Sequence, residues 1–476
     1  MEVYKMSVTE IQKSISDKKI SAEEVYSSLV SRSKQVNSET NALIHIQEEF
    51  EANDKDGLLS GIPIVVKDMF CTQGIKTTAA SKMLENFAPP FDATVVKKIL
   101  ESGANVLAKA NMDEFAMGST NENSYFGPVK NAVDLSLVAG GSSGGSAVAV
   151  ATGMSPLSFG SDTGGSIRLP ASFNGVYGFK PTYGRMSRFG MIAYGSSLDQ
   201  AGCFARNVHD LAVLSEVMSG FDEKDSTSFK DDSFTLKSLE SDRTFRIGVP
   251  KQLSALSMNK EIGEVFDSAI QKIQSLGHEV VEVDLDSIEK SVSCYYIIAM
   301  SEASSNLSRF DGVRFGHRSD FGDTPPGSLE EFYSRTRAEG FGEEVKRRIL
   351  LGTYSLSSGY YDAYYKKACL VRRKIQNEVF DALKNTDLII TPVNVDYPFK
   401  IGEKTKDPIA NYQTDLLTTF VNLSGTPGMS CPLADTKSLP LGLQIVAGLK
   451  DERTLFEFAH DMESQGVFKS EVQDVL

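Results

Sequence analysis

Two Gly/Ser-rich segments of this 476-residue chain echo each other, Gly141-Ser-Ser-Gly-Gly-Ser146 and Gly160-Ser-Asp-Thr-Gly-Gly-Ser166. Such a segment can be a flexible linker, an anion-binding loop or a wall of an acyl-transfer site. A linker is disfavoured because residues 147–158 run straight into apolar, core-like sequence. A phosphate loop is disfavoured because there is no G-x-x-x-x-G-K-[ST], and no lysine stands between Lys130 and Lys180. Acyl transfer accounts for more residues. In Asp162-Thr-Gly-Gly-Ser166 the backbone N–H groups of Thr163, Gly164 and Gly165 can converge on a developing oxyanion, each donor lowering the barrier by roughly 3 kcal/mol. Ser166 ends that arc as the natural nucleophile.

A serine nucleophile needs a base. The five histidines, His45, His209, His278, His317 and His460, sit in ordinary helix, strand or turn contexts. A lysine can serve if burial keeps it neutral. Lys67 is the best candidate, because it ends the apolar run Ile62-Pro-Ile-Val-Val66 beside Asp68. Taken alone, a strand-end lysine is more often a solvated charge.

The elements that must position these groups alternate between strand and helix, which favours an α/β core. Residues 7–36 read as helical, with Ser7 and Glu10 as a capping pair. Strands are expected at 62–66, 104–108, 245–249, 279–283, 387–391 and 441–446. Helices are expected at 92–102 and 261–276, and residues 328–384 read as mainly helical. The polar stretch 219–244 reads as an exposed crossover.

Composition narrows the function classes. The balance of 49 Lys+Arg against 63 Asp+Glu gives a net charge of −14. That argues against this chain being the main grip on nucleic acid or on an anionic membrane. Cys71, Cys203, Cys294, Cys369 and Cys431 are odd in number and scattered, the pattern of reduced thiols in a cytoplasmic setting. No His/Cys cluster suggests a metal site. Met1–Ser14 lacks the apolar stretch of a signal peptide, and no apolar run is long enough to span a membrane.

Three ordered motifs now carry a resemblance: Gly61-Ile-Pro-Ile-Val-Val-Lys67-Asp68, Gly140-Gly-Ser-Ser-Gly-Gly-Ser146 and Gly160-Ser-Asp-Thr-Gly-Gly-Ser-Ile-Arg168. Together they resemble the amidase signature family. The resemblance implies one large α/β domain over 1–476, with a mixed central sheet covered by helices on both faces. Its parts would be an N-terminal helical region (1–60), a signature core (61–218), the crossover (219–244) and a second part of the core (245–476). It also implies a Ser–cis-Ser–Lys triad of Ser166, Ser142 and Lys67, with Thr163, Gly164 and Gly165 as the oxyanion hole. The departures Ala139, Leu169 and Thr391-Pro-Val-Asn-Val leave the triad positions untouched.

Within the family, the chain is similar to the glutaminase subunits of tRNA-dependent amidotransferases. The segments carrying this are Lys109-Ala-Asn-Met-Asp-Glu-Phe-Ala-Met-Gly118, Lys180-Pro-Thr-Tyr-Gly-Arg185, Ser301–Asp311 and Gly359–Tyr365. The likeness implies glutamine as substrate, its carboxylate read by Arg348, its amino group by Asp415, and Tyr295 as a pocket wall. It implies two partner subunits, a tRNA-binding kinase/transamidase that uses ATP and Mg2+ and a small C subunit. This chain would need no cofactor of its own and would meet tRNA only through the partner. Ammonia would convert Glu-tRNA(Gln) to Gln-tRNA(Gln), with Asp-tRNA(Asn) left open as a second acceptor. The alternatives are a free-standing amidase for small or apolar amides, which has no use for an opposed charge pair, and a silent scaffold, which has no use for an intact triad.

Overall fold

The computed structural model describes residues 2–231, 235, 238–404, 411–436 and 438–475. Among the described residues eleven strands form one mixed sheet. In chain order they are β1 (Leu43–Ile46), β2 (Pro63–Lys67), β3 (Asn105–Ala110), β4 (Leu157–Asp162), β5 (Tyr177–Lys180), β6 (Gln200–Ala205), β7 (Arg246–Pro250), β8 (Glu279–Val283), β9 (Leu388–Pro392), β10 (Gly428–Pro432) and β11 (Gly442–Val446). Their order across the sheet is β1-β3-β2-β4-β6-β5-β10-β11-β9-β7-β8. The α/β reading with a mixed central sheet therefore holds.

The middle of the sheet is apolar because both of its faces are covered. Every residue of β2, β4, β5, β6, β9, β10 and β11 is buried. Helices Gly144–Ala151 and Arg168–Asn174 pack together on one face. Val208–Met218, with Thr94–Glu101 and Glu452–Ser464, covers the other. Helix Gly144–Ala151 (Gly-Gly-Ser-Ala-Val-Ala-Val-Ala) is buried all round, as its lack of any charged side chain requires.

The parallel pairing of β2 with β4 sets the site. Val66 lies opposite Phe159, so Lys67 at the C-terminal end of β2 comes level with Gly160 and Ser161. Loops at the carboxyl ends of parallel strands are where α/β sheets gather reactive groups.

The N-terminal expectation needs correcting. Residues 7–36 form two helices, Val8–Ser16 and Ala22–Thr40. The first carries the expected Ser7–Glu10 capping box, but Lys18 turns left-handed at φ 57° and a second box, Ser21–Glu24, restarts the helix. The region 1–60 is also not wholly helical, since β1 pairs antiparallel with β3. Over its described residues 219–244 has no helix or strand, and positions 232–234, 236 and 237 lie outside them. Part of this segment is anchored. Asp225 grips Arg188 at 3.0 Å, and Asp222 accepts the hydroxyls of Ser187 (2.6 Å) and Thr94 (2.5 Å). Among the described residues no helix is long and apolar enough to cross a membrane.

Candidate active site

Lys67 is fully buried, its Nζ 2.8 Å from Ser142 Oγ, 2.8 Å from Ser143 Oγ and 2.9 Å from Ser161 Oγ. Burial lowers its pKa to about 7, although the carboxylates of Asp113, Asp162 and Asp199 pull it upward. Near neutral pH the amine is thus available in both protonation states, with the hydroxyls of Ser142 and Ser161 placed to donate to it or accept from it and that of Ser143, whose proton goes to Ser161 O, placed to accept. The Gly141–Ser142 peptide is cis.

Ser166 comes from the facing loop. Its carbonyl accepts the Ser143 N–H at 3.2 Å, which ties the two Gly/Ser loops together. Its side chain reaches the surface at 7 % exposure, and its hydroxyl has no hydrogen-bond partner among the described residues. Of the three expected oxyanion donors, Gly165 is already engaged, its N–H donating to Asp162 Oδ1 at 2.8 Å. The N–H groups of Thr163, Gly164 and Ser166 have no partner among the described residues. Of the expected donors, Thr163 and Gly164 thus keep a free N–H, as Ser166 does beside them in sequence. No histidine enters this cluster: His278 meets Asp461, His317 meets Glu339 and His45 meets Gln47.

The loop rests on a buried polar frame. Arg168 Nε and Nη2 bond the two oxygens of Asp162 at 3.1 and 3.0 Å, and Nη1 and Nη2 reach Thr418 O, Gln444 Oε1 and Asn422 Oδ1. Burial pushes the Asp162 carboxyl up, but Arg168, with Lys180 and Asn422, holds it down at about 2. Replacing Arg168 by methionine leaves that carboxylate uncompensated, so unfolding in denaturant should show a loss of about 3–5 kcal/mol. An unchanged midpoint would mean that the frame contributes nothing to stability. Leu169 packs in a small cluster with Val138, Phe173 and Phe399, away from the frame.

Arg348 and Asp415, expected as charge readers, lie in one buried group and make no ion pair with each other. Arg348 donates from Nε to Glu344 Oε1 (2.8 Å) and from Nη1 to Tyr194 Oη (2.7 Å). Its guanidinium is surrounded by the rings of Tyr194, Tyr296 and Tyr412 at 5.6, 5.1 and 5.5 Å. Asp415 accepts both Ser119 Oγ and Tyr296 Oη on Oδ2 at 2.7 Å. Burial raises its carboxyl to about 6, against the opposing effect of those two hydroxyls and of Arg348. Arg348 Nη2 and Asp415 Oδ1 have no protein partner among the described residues.

Tyr295 and Tyr296 are both buried and both belong to this group. Tyr295 stands against Gly164, where an added Cβ would lie 2.4 Å from its Cζ, so only glycine fits there. Tyr296 links Asp415 to Arg348. Asp199 connects the two halves of the site, accepting Thr163 Oγ1 at 2.7 Å and the N–H groups of Tyr194 (2.9 Å) and Gly195 (3.0 Å). Sequence reading does not pick out Ser119, Ser143, Ser161, Tyr194, Asp199, Tyr296, Glu344 or Tyr412 as members of the site. Among the described residues no His/Cys/Asp/Glu group has the arrangement to hold a metal ion.

Comparison with known proteins agrees with this geometry. The profile of the family described as Amidase matches residues 11–456. The A subunit of glutamyl-tRNA(Gln) amidotransferase from Halorhodospira halophila is 48% identical over 473 residues, covering 96% of each chain. The protein of that name from Pelagibacter ubique is 46% identical over 484 residues, covering 99% of each. The crystal structure of the corresponding glutamyl-tRNA(Gln) amidotransferase chain from Thermotoga maritima superposes with a TM-score of 0.83 at 38% identity, covering 100% of this chain and 99% of that one. With a buried lysine on a cis-peptide serine, facing a glycine-lined serine loop, the chain belongs to the amidase family, in the branch of the glutamyl-tRNA(Gln) amidotransferase A subunits.

Proposed function

We propose that the chain hydrolyses glutamine to glutamate and ammonia, as the glutaminase subunit of a tRNA-dependent amidotransferase. The carrying observation is the pair of open hydrogen-bonding positions, Arg348 Nη2 and Asp415 Oδ1, in the buried group that adjoins the Gly164 loop. A free amino acid brings a carboxylate and an ammonium that match such groups, whereas an apolar amide leaves both of these open positions unfilled.

In the proposed reaction, neutral Lys67 takes the proton of Ser142 while Ser142 takes that of Ser166, and Ser166 Oγ attacks the side-chain carboxamide carbon. The N–H groups of Thr163, Gly164 and Ser166 meet the developing oxyanion. Return of the proton through Ser142 to the leaving nitrogen expels ammonia and leaves an acyl-enzyme. Water then hydrolyses that ester by the same relay in reverse, releasing glutamate.

The ammonia would pass to a partner subunit that uses ATP and Mg2+ to convert Glu-tRNA(Gln) to Gln-tRNA(Gln), with a small C subunit completing the assembly. A net charge of −14 is in keeping with tRNA being held by the partner. Five unpaired cysteines are in keeping with a cytoplasmic or organellar-matrix setting.

Ammonia release from glutamine and from apolar amides, measured on the full chain with and without candidate partner subunits, tests the reading. Turnover of apolar amides with none of glutamine would establish the free-standing amidase instead. Arg348→Lys refines the test, since a lysine offers a point charge where Arg348 spans Glu344, Tyr194 and a third position. The expected result is a rise of about 10–100-fold in KM for glutamine with kcat changed far less. An unchanged KM would remove Arg348 from substrate recognition.

A further inference from the structure

Residues 113–123 form a turn between β3 and the Ser142 loop that has no assigned role. Three of its non-glycine residues adopt left-handed backbone conformations, Phe115 at φ 50°, Ala116 at φ 60° and Asn121 at φ 63°. L side chains rarely adopt such angles, and a run of them persists only where the surroundings over-determine it. Phe115 is held by the rings of Phe310 (5.0 Å) and Phe341 (5.6 Å). The other anchor is Asp113, which has no exposed surface.

The Asp113 carboxylate accepts the N–H of Asn121 on Oδ2 at 2.9 Å and that of Asn123 on Oδ1 at 3.0 Å. Its own N–H donates to the carbonyl of Ser142 at 3.2 Å. The same carboxylate abuts Gly141, where an added Cβ would sit 2.0 Å from Oδ2. The turn it closes reaches the site twice through Ser119. The Ser119 carbonyl accepts the Gly141 N–H at 2.8 Å, and Ser119 Oγ donates to Asp415 Oδ2 at 2.7 Å.

We propose that Asp113 is a positioning residue that joins the Ser142 peptide to the Ser119–Asp415 pair, so that one carboxylate aligns the proton relay with the reader of the substrate's amino group. This rests on the glutaminase reading and adds a residue to it. Asp113 touches neither substrate nor nucleophile and acts through Ser142 and Ser119.

The charge of Asp113 has a second, separable effect. Lys67 on β2 and Arg348 on helix Glu343–Leu356 face it. Lys67 is faced in turn by three carboxylates, Asp113, Asp162 and Asp199, and by the hydroxyls of Ser142, Ser143 and Ser161. Removing one of three negative charges favours the neutral amine, so Lys67 would be deprotonated at lower pH.

The test is glutamine hydrolysis by the full chain, with kcat and KM followed against pH for Asp113→Asn, Asp113→Glu and Ser119→Ala. Asp113→Asn should raise KM about tenfold and move the acidic limb of kcat/KM to lower pH. Asp113→Glu, which keeps the charge but not the fit, should raise KM with the limb where it is in the unaltered chain. Ser119→Ala should do the same, and it removes only one hydroxyl, so it decides the matter if Asp113→Asn does not fold. Unchanged KM in Ser119→Ala and Asp113→Glu, or an unmoved limb in a folded Asp113→Asn, would overturn the proposal. Ser166→Ala serves as the control for the underlying reading. Persistent ammonia release there rejects the glutaminase assignment itself, whereas silent Asp113 and Ser119 variants beside an inactive Ser166→Ala reject only the role of Asp113.

Discussion

Replacing Ser166 by alanine should reduce ammonia release from glutamine by on the order of 10^5–10^6 in kcat, while leaving the fold intact. The two halves of this expectation come from different observations. Activity falls because the only covalent bond to substrate in the proposed mechanism is made by Ser166 Oγ, and no neighbouring hydroxyl is free to replace it. Ser142, Ser143 and Ser161 are all within 2.9 Å of the Lys67 amine and are engaged as its hydrogen-bond partners. Stability is unaffected because the Ser166 hydroxyl makes no hydrogen bond among the described residues, and its place in the loop depends on its carbonyl. Removing one partly accessible hydroxyl of that kind should change unfolding free energy by less than about 0.5 kcal/mol. Glutamine should still bind, because Arg348 and Asp415 are untouched. Isothermal titration with glutamine alongside an ammonia assay separates the two effects. Loss of binding together with turnover would mean that Ser166 shapes the pocket and does not attack the amide.

What could be read from the sequence follows from where the information sits along the chain. Lys67, Ser142 and Ser166 stand in short, glycine-dense motifs, because backbone must approach backbone closely there and side chains would obstruct it. Such motifs are local and therefore visible. The substrate readers are different. Arg348 sits in Lys346-Arg-Arg348, which looks like a solvated basic face. Only the fold shows that Arg348 turns inward at 2% exposure while Arg347 stays outside. Its partners Tyr194 and Tyr412 are more than 60 residues away in either direction, and nothing in their own neighbourhoods marks them. Tyr295 and Tyr296 are neighbours in sequence, and periodicity does not say which of the two faces the site. Helix Ser291–Asn306 is buried on more than one side, so both rings face the site.

Strand legibility varied for a related reason. β2, β8 and β9 announced themselves as β-branched runs. β5, β6 and β10, with sequences Tyr-Gly-Phe-Lys, Gln-Ala-Gly-Cys-Phe-Ala and Gly-Met-Ser-Cys-Pro, contain no β-branched residue, and only Tyr177, Phe179 and Phe204 among them are strong β-formers. Buried on both faces, they show no alternation either, so tertiary packing decides their conformation. At the N-terminus the Ser7–Glu10 box is legible, whereas its repeat at Ser21–Glu24 lies inside a stretch whose apolar spacing runs on as one helix. Lys18 in a left-handed conformation has no sequence mark as clear as a glycine would give.

The second large effect concerns the base. The reactive form in the proposed mechanism is the neutral amine of Lys67, since an ammonium has no lone pair to take the Ser142 proton. With the Lys67 pKa lowered to about 7 by burial, kcat/KM should rise about tenfold per pH unit between about 6, where Asp415 gains its charge, and that value, and level off above it. A solvated lysine would place the same limb about three units higher. Lys67→Ala should lower kcat by about 10^4 and remove the limb near pH 7, leaving only the fall below about 6 where Asp415 takes up a proton. The variant should still fold. It leaves three hydroxyls without their shared partner, at about 1–3 kcal/mol, but Ser143 Oγ keeps its bond to Ser161 O at 3.1 Å. Lys67→Arg completes the argument, because a guanidinium keeps the positive charge and cannot lose its proton at working pH. If Lys67 acts as a base, the arginine variant is as inactive as the alanine one at every pH. If the arginine variant instead retained substantial turnover, the residue would be stabilising negative charge, and the proton of Ser142 would need another acceptor.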